Sequence, residues 1–195
     1  MKIAIIDYGA GNVQSVQFAL NRLGFEGILT ADPELVLSAD RVIFPGVGAA
    51  NAAMKKLSES GLDQLIPNLR QPVLGICLGM QLLCSHSEEG NTDGLGVFDV
   101  AIRKFPADHK IPQMGWNTIY NLQSALFDGI SENEHVYFVH SFYAEKIADM
   151  IAATDYGLEY ASALQKDNFF GVQFHPEKSG KTGEKILGNF LRAAL

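Results

Sequence analysis

The segment that most restricts the fold is Pro72 to Gly79, PVLGICLG, where a short apolar run ends on a cysteine between two glycines and enters helix-like sequence without a linker. A strand delivered so abruptly into a helix is half of a βα unit, and the pattern recurs. Lys2 to Ile6 is an apolar run followed by Asp7, Gly9 and Gly11, then by Val13 to Leu23 with apolar residues at 13, 16, 20 and 23, a helical period. Arg41 to Phe44 is closed by glycines and followed by Ala49 to Leu57, and Pro72 to Ile76 is followed by Leu78 to Ser85. Such alternation predicts a parallel sheet covered by helices on both faces. Beyond residue 95 the pattern changes. Val97 to Phe105, His135 to Phe142, Met150 to Thr154 and Phe169 to Phe174 read as strands separated by turns, which adds an antiparallel portion to a mixed, mostly parallel sheet. Lys181 to Ala194 reads as a closing helix. No repeat, linker or low-complexity tract interrupts the 195 residues, so one domain spanning 1–195 is expected.

Composition removes several classes of function. Apolar residues make up 47% of the chain and charged residues 19%, which describes a compact globule rather than a disordered one. The net charge of −7 and the lack of a basic run argue against a nucleic-acid partner. The uncharged stretch Gln71 to Ser87 contains Pro72, Gly75, Gly79, Gln81 and His86 and falls short of the roughly 20 residues a membrane helix needs. Asp7 breaks the first apolar run too early for a signal peptide, so a cytoplasmic location is expected. The two cysteines, Cys77 and Cys84, then stand as free thiols rather than a disulfide framework. The Gly9-Ala10-Gly11 turn begins like a dinucleotide fingerprint but has Gln14 where the third glycine belongs. Gly180-Lys181-Thr182 resembles the tail of a phosphate-binding loop whose first glycine is replaced by His175. The five histidines form neither a helical i, i+4 pair nor a cluster with cysteine. Neither a cofactor nor a metal is expected.

What remains is Cys77. The G-x-C-x-G run between strand and helix has the form of a nucleophile elbow with sulfur in place of oxygen. Its glycines make sense if the residues two before and two after the cysteine approach other backbone too closely for a Cβ. A thiol at a helix N-terminus gains from the exposed N–H groups, which favour thiolate over thiol. Cys84, seven residues on in an apolar helical stretch without such flanks, reads as packing. A cysteine nucleophile needs a base, and the base needs a group to orient it. His175 and Glu177 fit: if the chain stays extended through Pro176, their side chains fall on one side.

The strings PGVGA (45–49), GICLGMQLL (75–83) and FHPEKS (174–179), in that order, resemble the class I glutamine amidotransferases, and the resemblance spans nearly the whole chain. Within that class DYGAGN (7–12), PQMGWN (112–117) and YFVHSFY (137–143) resemble the glutaminase subunits of imidazole glycerol phosphate synthase, an assembly of histidine biosynthesis. Gln113 stands where that pattern usually has His, and Phe142 where it has Tyr. The resemblance implies a flavodoxin-like fold with Cys77 as nucleophile, His175 as acid and base, and Glu177 as orienter. It makes Gln81, one helical turn beyond Cys77, a contact for substrate glutamine, and Leu78 N–H together with the Pro45 to Gly48 loop, Gly48 in particular, the oxyanion donors. It also implies a heterodimer with a cyclase subunit built as a (β/α)8 barrel that uses the ammonia. The docking face would carry Asn12, Met114, Trp116 and Lys178. Another member of the class, feeding anthranilate, guanylate or pyridoxal phosphate synthesis, is the alternative reading.

Overall fold

A computed structural model of the chain describes residues 1–9 and 13–192. Four parallel strands come first in the sequence: β1 (Ile3–Ile6), β2 (Gly27–Thr30), β3 (Arg41–Gly46) and β4 (Val73–Cys77). Between them run α1 (Val13–Arg22), α2 (Pro33–Leu37), α3 (Ala50–Ser60) and α4 (Leu62–Leu65). Local chemistry marks the helix ends. Asp32 accepts the Glu34 N–H ahead of Pro33, and α3 stops where Gly61 turns left-handed at φ 72°, a conformation glycine adopts without penalty.

Chain reversal dominates the second half: α5 (Leu78–Leu83), β5 (Cys84–Ser87), β6 (Thr92–Asp93), β7 (Phe98–Lys104), β8 (Gln113–Ile119), β9 (Glu134–His140), β10 (Phe142–Ala144), β11 (Met150–Asp155), β12 (Glu159–Lys166), β13 (Phe169–Val172) and α6 (Gly180–Arg192). The main sheet has the order β2-β1-β3-β4-β13-β12-β10-β7-β5-β6, with β11 paired to β12, while β8 and β9 form a separate antiparallel ribbon. From β2 to β13 every pairing is parallel. The sequence direction of the crossovers reverses within this stretch, and the crevice at the carboxyl ends of the strands is where such sheets bind ligands.

Each parallel strand is buried on both faces, so its apolar run is continuous rather than alternating. Ala4, Ile6, Val42, Phe44 and Val73 pack into the layer beneath α3, α4 and α5. The intervening residues Ile3, Ile5, Ile43, Leu74 and Ile76 pack against α1 and α6 on the other face. Each fully buried Leu or Ile in these layers stabilises the fold by about 1.5–3 kcal/mol. That is what makes the strand ends a rigid platform.

The structure revises several expectations. The helix read as Leu78 to Ser85 ends at Leu83, because Cys84 takes ψ 172° and the chain continues as β5, pairing with β7 and β6. The strand read as His135 to Phe142 is divided at Ser141 between the ribbon and the main sheet. Three strands, β2, β8 and β12, carry no sequence signal strong enough to mark them. Gly115 at φ 130° interrupts β8, and β12 is built on Ala and Ser. The closing helix begins at Gly180, and its expected last residues lie outside those described. No helix among the described residues is long and apolar enough to cross a membrane.

Candidate active site

Cys77 ends β4 and precedes α5 with φ 54° and ψ −110°, a left-handed conformation that costs a non-glycine residue of order 1–3 kcal/mol and persists only when its surroundings enforce it. The enforcement is visible on both sides. A Cβ on Gly79 would meet the Phe44 carbonyl oxygen in β3, and one on Gly75 would stand 2.8 Å from both the Met80 nitrogen and a Leu83 methyl. Helix α5 therefore sits directly on the sheet. The sulfur is held up at a cavity of about 350 Å³ lined by Val47, Gly48, Leu78, Gln81 and His175 on one side and by His140, Ser141 and Phe142 on the other.

His175 follows β13, the parallel neighbour of β4, so adjacent strand ends bring nucleophile and imidazole to one cavity although they are far apart in sequence. Its N–H donates to the Tyr137 carbonyl (2.9 Å) and its own carbonyl accepts from Ser179 Oγ (2.6 Å), fixing the backbone from two sides. Nδ1 lies 2.8 Å from Glu177 Oε1, and both side chains are buried. The pair does not arise from an extended chain, contrary to the expectation from sequence. Pro176–Lys178 forms a turn of 3₁₀ helix that folds the carboxylate back beneath the ring. Burial opposes charge on the imidazole, but the hydrogen bonding and negative charge of Cys77 and Glu177 outweigh it, and His175 is pushed up to about 10. Nε2 is buried with no hydrogen-bond partner. A proton on Nδ1, shared with Glu177, leaves Nε2 as the atom available for proton transfer.

The wall opposite the elbow is polar and fully engaged. Gln81 Nε2 donates to the Phe142 carbonyl (3.0 Å) and to Gln173 Oε1 (2.9 Å), so both amide protons are committed to protein and only Oε1 remains to receive a ligand's N–H. Gln173 Nε2 in turn lies 3.7 Å from Cys77 Sγ. His140 is pushed down to about 4 by burial, opposed by its bond to Phe142 and reinforced by the charge of His175. Its Nδ1–H donates to the Phe142 carbonyl at 2.7 Å, leaving Nε2 to accept from the Tyr160 hydroxyl at 3.2 Å. Gln113, whose amide lies 2.9 Å from that hydroxyl and whose Nε2 is otherwise buried and unpaired, completes the chain best with its amide turned to donate to Tyr160.

The other sequence candidates divide cleanly. Leu78 is the first residue of α5, and Gly48, at φ 99°, overhangs the cavity just past the point where Gly46 of β3 pairs with Cys77. Met114 and Trp116 project from the outer face of the β8–β9 ribbon, 65% and 57% exposed, and Trp116 packs edge-on against Tyr137. Lys178 is exposed on the 3₁₀ turn beside Glu177. Asn12 lies outside the described residues. Gln173 escapes the sequence reading, although its position two residues before His175 at the end of a strand places it on the same face. The wall residues Ser141 and Phe142 escape it as site residues because they sit where the chain passes from the ribbon to the main sheet.

The family model described as glutamine amidotransferase class-I matches residues 4–194. The chain is 58% identical to the imidazole glycerol phosphate synthase subunit HisH of Bacteroides thetaiotaomicron, over 98% of this chain and 99% of the relative. It is 48% identical to the protein of the same name from Haemophilus influenzae, over 98% and 97% respectively. Among solved structures, one described as glutamine amidotransferase superposes with a TM-score of 0.78 at 16% identity, covering 98% of this chain and 97% of that one. A GMP synthase component from Thermoplasma acidophilum superposes at 0.75 and 20%, covering 98% and 92%. These two structures establish the flavodoxin-like fold.

Proposed function

The chain belongs to the class I glutamine amidotransferases, and from that premise we propose that it is the glutaminase subunit of imidazole glycerol phosphate synthase, releasing ammonia from glutamine for a partner subunit. The observation that carries the reading is the convergence of a strained Cys77 and an unpaired His175 Nε2 on one cavity, with Glu177 fixing the ring.

Chemistry follows from that geometry. Cys77 Sγ attacks the side-chain amide carbon of glutamine, forming a C–S bond and moving the carbonyl π pair to oxygen. The oxyanion is met by Leu78 N–H at the start of α5 and by an N–H from the Gly48 loop, donors that are already oriented when the charge appears. Protonated His175 gives its proton from Nε2 to the departing nitrogen, the C–N bond breaks, and a glutamyl thioester remains. Neutral His175 then takes a proton from water as its oxygen attacks, the C–S bond breaks, and glutamate leaves. Gln81 Oε1 accepts from the substrate's ammonium group, the one role its committed amide protons leave open.

Ammonia released into water would be protonated at neutral pH and lose its nucleophilicity, so a partner must cover the site. That partner is the cyclase, whose (β/α)8 barrel completes a heterodimer. Met114, Trp116 and Lys178, with Asn12, form its docking face. Tyr137 links that face to the triad, packing against Trp116 while its carbonyl holds the His175 N–H. A peptide rearrangement around Gly48 upon docking completes the oxyanion hole. The test is glutamate release from glutamine by wild type and Cys77→Ala, with and without the cyclase and its nucleotide ligand. Release that needs Cys77 and rises on adding liganded cyclase supports the proposal. Wild-type activity in isolation equal to that of the liganded complex would refute the rearrangement, and release by Cys77→Ala would refute the nucleophile.

A further inference from the structure

Three polar groups between the cavity wall and the nucleophile form a directed chain, and its direction is set by the one member that cannot turn over. The Phe142 carbonyl can only accept. The Gln81 group 3.0 Å from it is therefore the NH₂, and the same NH₂ lies 2.9 Å from the Gln173 side chain. A group facing an NH₂ must be an acceptor, so Gln173 presents Oε1 to Gln81 and is left with its NH₂ toward Cys77 Sγ, 3.7 Å away. An NH₂ can donate and cannot accept. Gln173 is fully buried and Gln81 is 5% exposed, so water does not compete for these bonds.

We propose that Gln173 is a hydrogen-bond donor to the Cys77 sulfur, holding it as thiolate and aimed at the cavity, and that Gln81 fixes the orientation of the Gln173 amide. The assignment rests on Cys77 being the nucleophile, and it adds a fourth residue to Cys77, His175 and Glu177. A donor placed on sulfur stabilises the anion and does nothing comparable for the thiol, because charge-assisted bonds are the strong ones. It also restrains the side chain on the face away from His175, so that Sγ does not rotate beneath the Val139 carbonyl, which lies 3.8 Å from it. Gln81 has a double role in this arrangement. It lines the substrate cavity with Oε1 and orients the nucleophile's donor with Nε2, so a group bound at Oε1 polarises the amide whose protons support Gln173.

The experiment is carboxyamidomethylation of the full chain by iodoacetamide as a function of pH, with the labelled peptide identified so that Cys77 and Cys84 are read separately, alongside the ultraviolet absorbance of the thiolate. Removing the donor in Gln173→Leu moves the Cys77 labelling profile to higher pH and slows labelling at neutral pH about tenfold, as expected for one lost bond to a charged group. Gln173→Glu, which sets an acceptor against the sulfur, moves it further in the same direction. Gln81→Met leaves Gln173 in place but frees its amide to turn, and gives a smaller shift of the same sign. It serves as the readout should neither Gln173 variant fold. A profile unchanged in Gln173→Leu, or Gln173→Glu labelling faster than Gln173→Leu, overturns the proposal while leaving the nucleophile standing. Wild-type Cys77 labelling no faster than an unfolded control peptide would overturn both.

Discussion

Helix α5 carries a cysteine at each end, and the two could hardly differ more. Cys77, at the N-terminal end, is forced to φ 54° and stands at the cavity within the influence of His175. Cys84, at the C-terminal end, has an ordinary φ of −74°, is completely buried, and directs its thiol at the Met80 carbonyl 3.4 Å away. Burial alone raises its thiol far above the usual range. Both residues have the same side chain, but one end of a helix offers unpaired N–H groups and the other unpaired carbonyls. At the first a sulfur gains by losing its proton, and at the second by keeping it. Reactivity here follows from position on the helix and access to the cavity rather than from residue type.

The sharpest way to break that contrast is to exchange each thiol for a hydrogen and measure catalysis. Cys77→Ala lowers glutamate release by at least roughly 10⁴-fold, the scale of losing a nucleophile from a cooperating set, whereas Cys84→Ala retains activity within a few-fold once folded. Comparable losses in the two variants would dissolve the distinction. Next in size is the orienter: Glu177→Gln keeps the shape of the turn but replaces the acceptor for Nδ1, and lowers the rate of the chemical step about 10³–10⁴-fold with little change in KM.

The electrostatic half of the contrast shows in stability. His175 is raised from 6.5 to about 10 in the folded chain. A raised value means the folded state holds the proton more tightly than the unfolded one, so the stabilisation is complete below pH 6.5 and disappears as pH rises through 10. Thermal melts of wild type against His175→Gln from pH 6 to pH 10 should show a wild-type advantage that shrinks steadily upward, at about 2–4 °C per kcal/mol for a chain of this size. An advantage that grows with pH would reverse the assignment of charge in the site.

How much of this is legible in the residues depends on how local the cause is. The elbow is legible because Gly75 and Gly79 are required by contacts within one βα unit, and the apolar runs of β1, β3 and β4 because burial on both faces leaves no alternation to misread. The meeting of Cys77 with His175 is not local, since it needs β13 to insert beside β4 after a long excursion of the chain. Residues 175 and 177 do pair, but through the 3₁₀ turn rather than through the extended chain that their spacing suggests. Gln173 is hidden because a glutamine at a strand end is unremarkable until its partners at Gln81 and Cys77 are in place. Strand β8 is hidden by its glycine and its outward Met114 and Trp116, residues placed for something beyond the core.

The smallest predicted effects concern backbone strain, and they separate the helix ends without any assay of function. At position 77 a side chain is held in a region that glycine enters freely, so Cys77→Gly relieves strain, and although glycine pays more chain entropy on folding, it is more stable than Cys77→Ala by about 1 kcal/mol. At position 84 the backbone is relaxed, and no such gain is available. Cys84→Gly loses both packing and chain stiffness and melts below Cys84→Ala by about 1 kcal/mol. The same pair of substitutions therefore changes sign across one short helix. Urea titration of the four variants measures it, and equal signs at both ends would mean that the elbow is not under load.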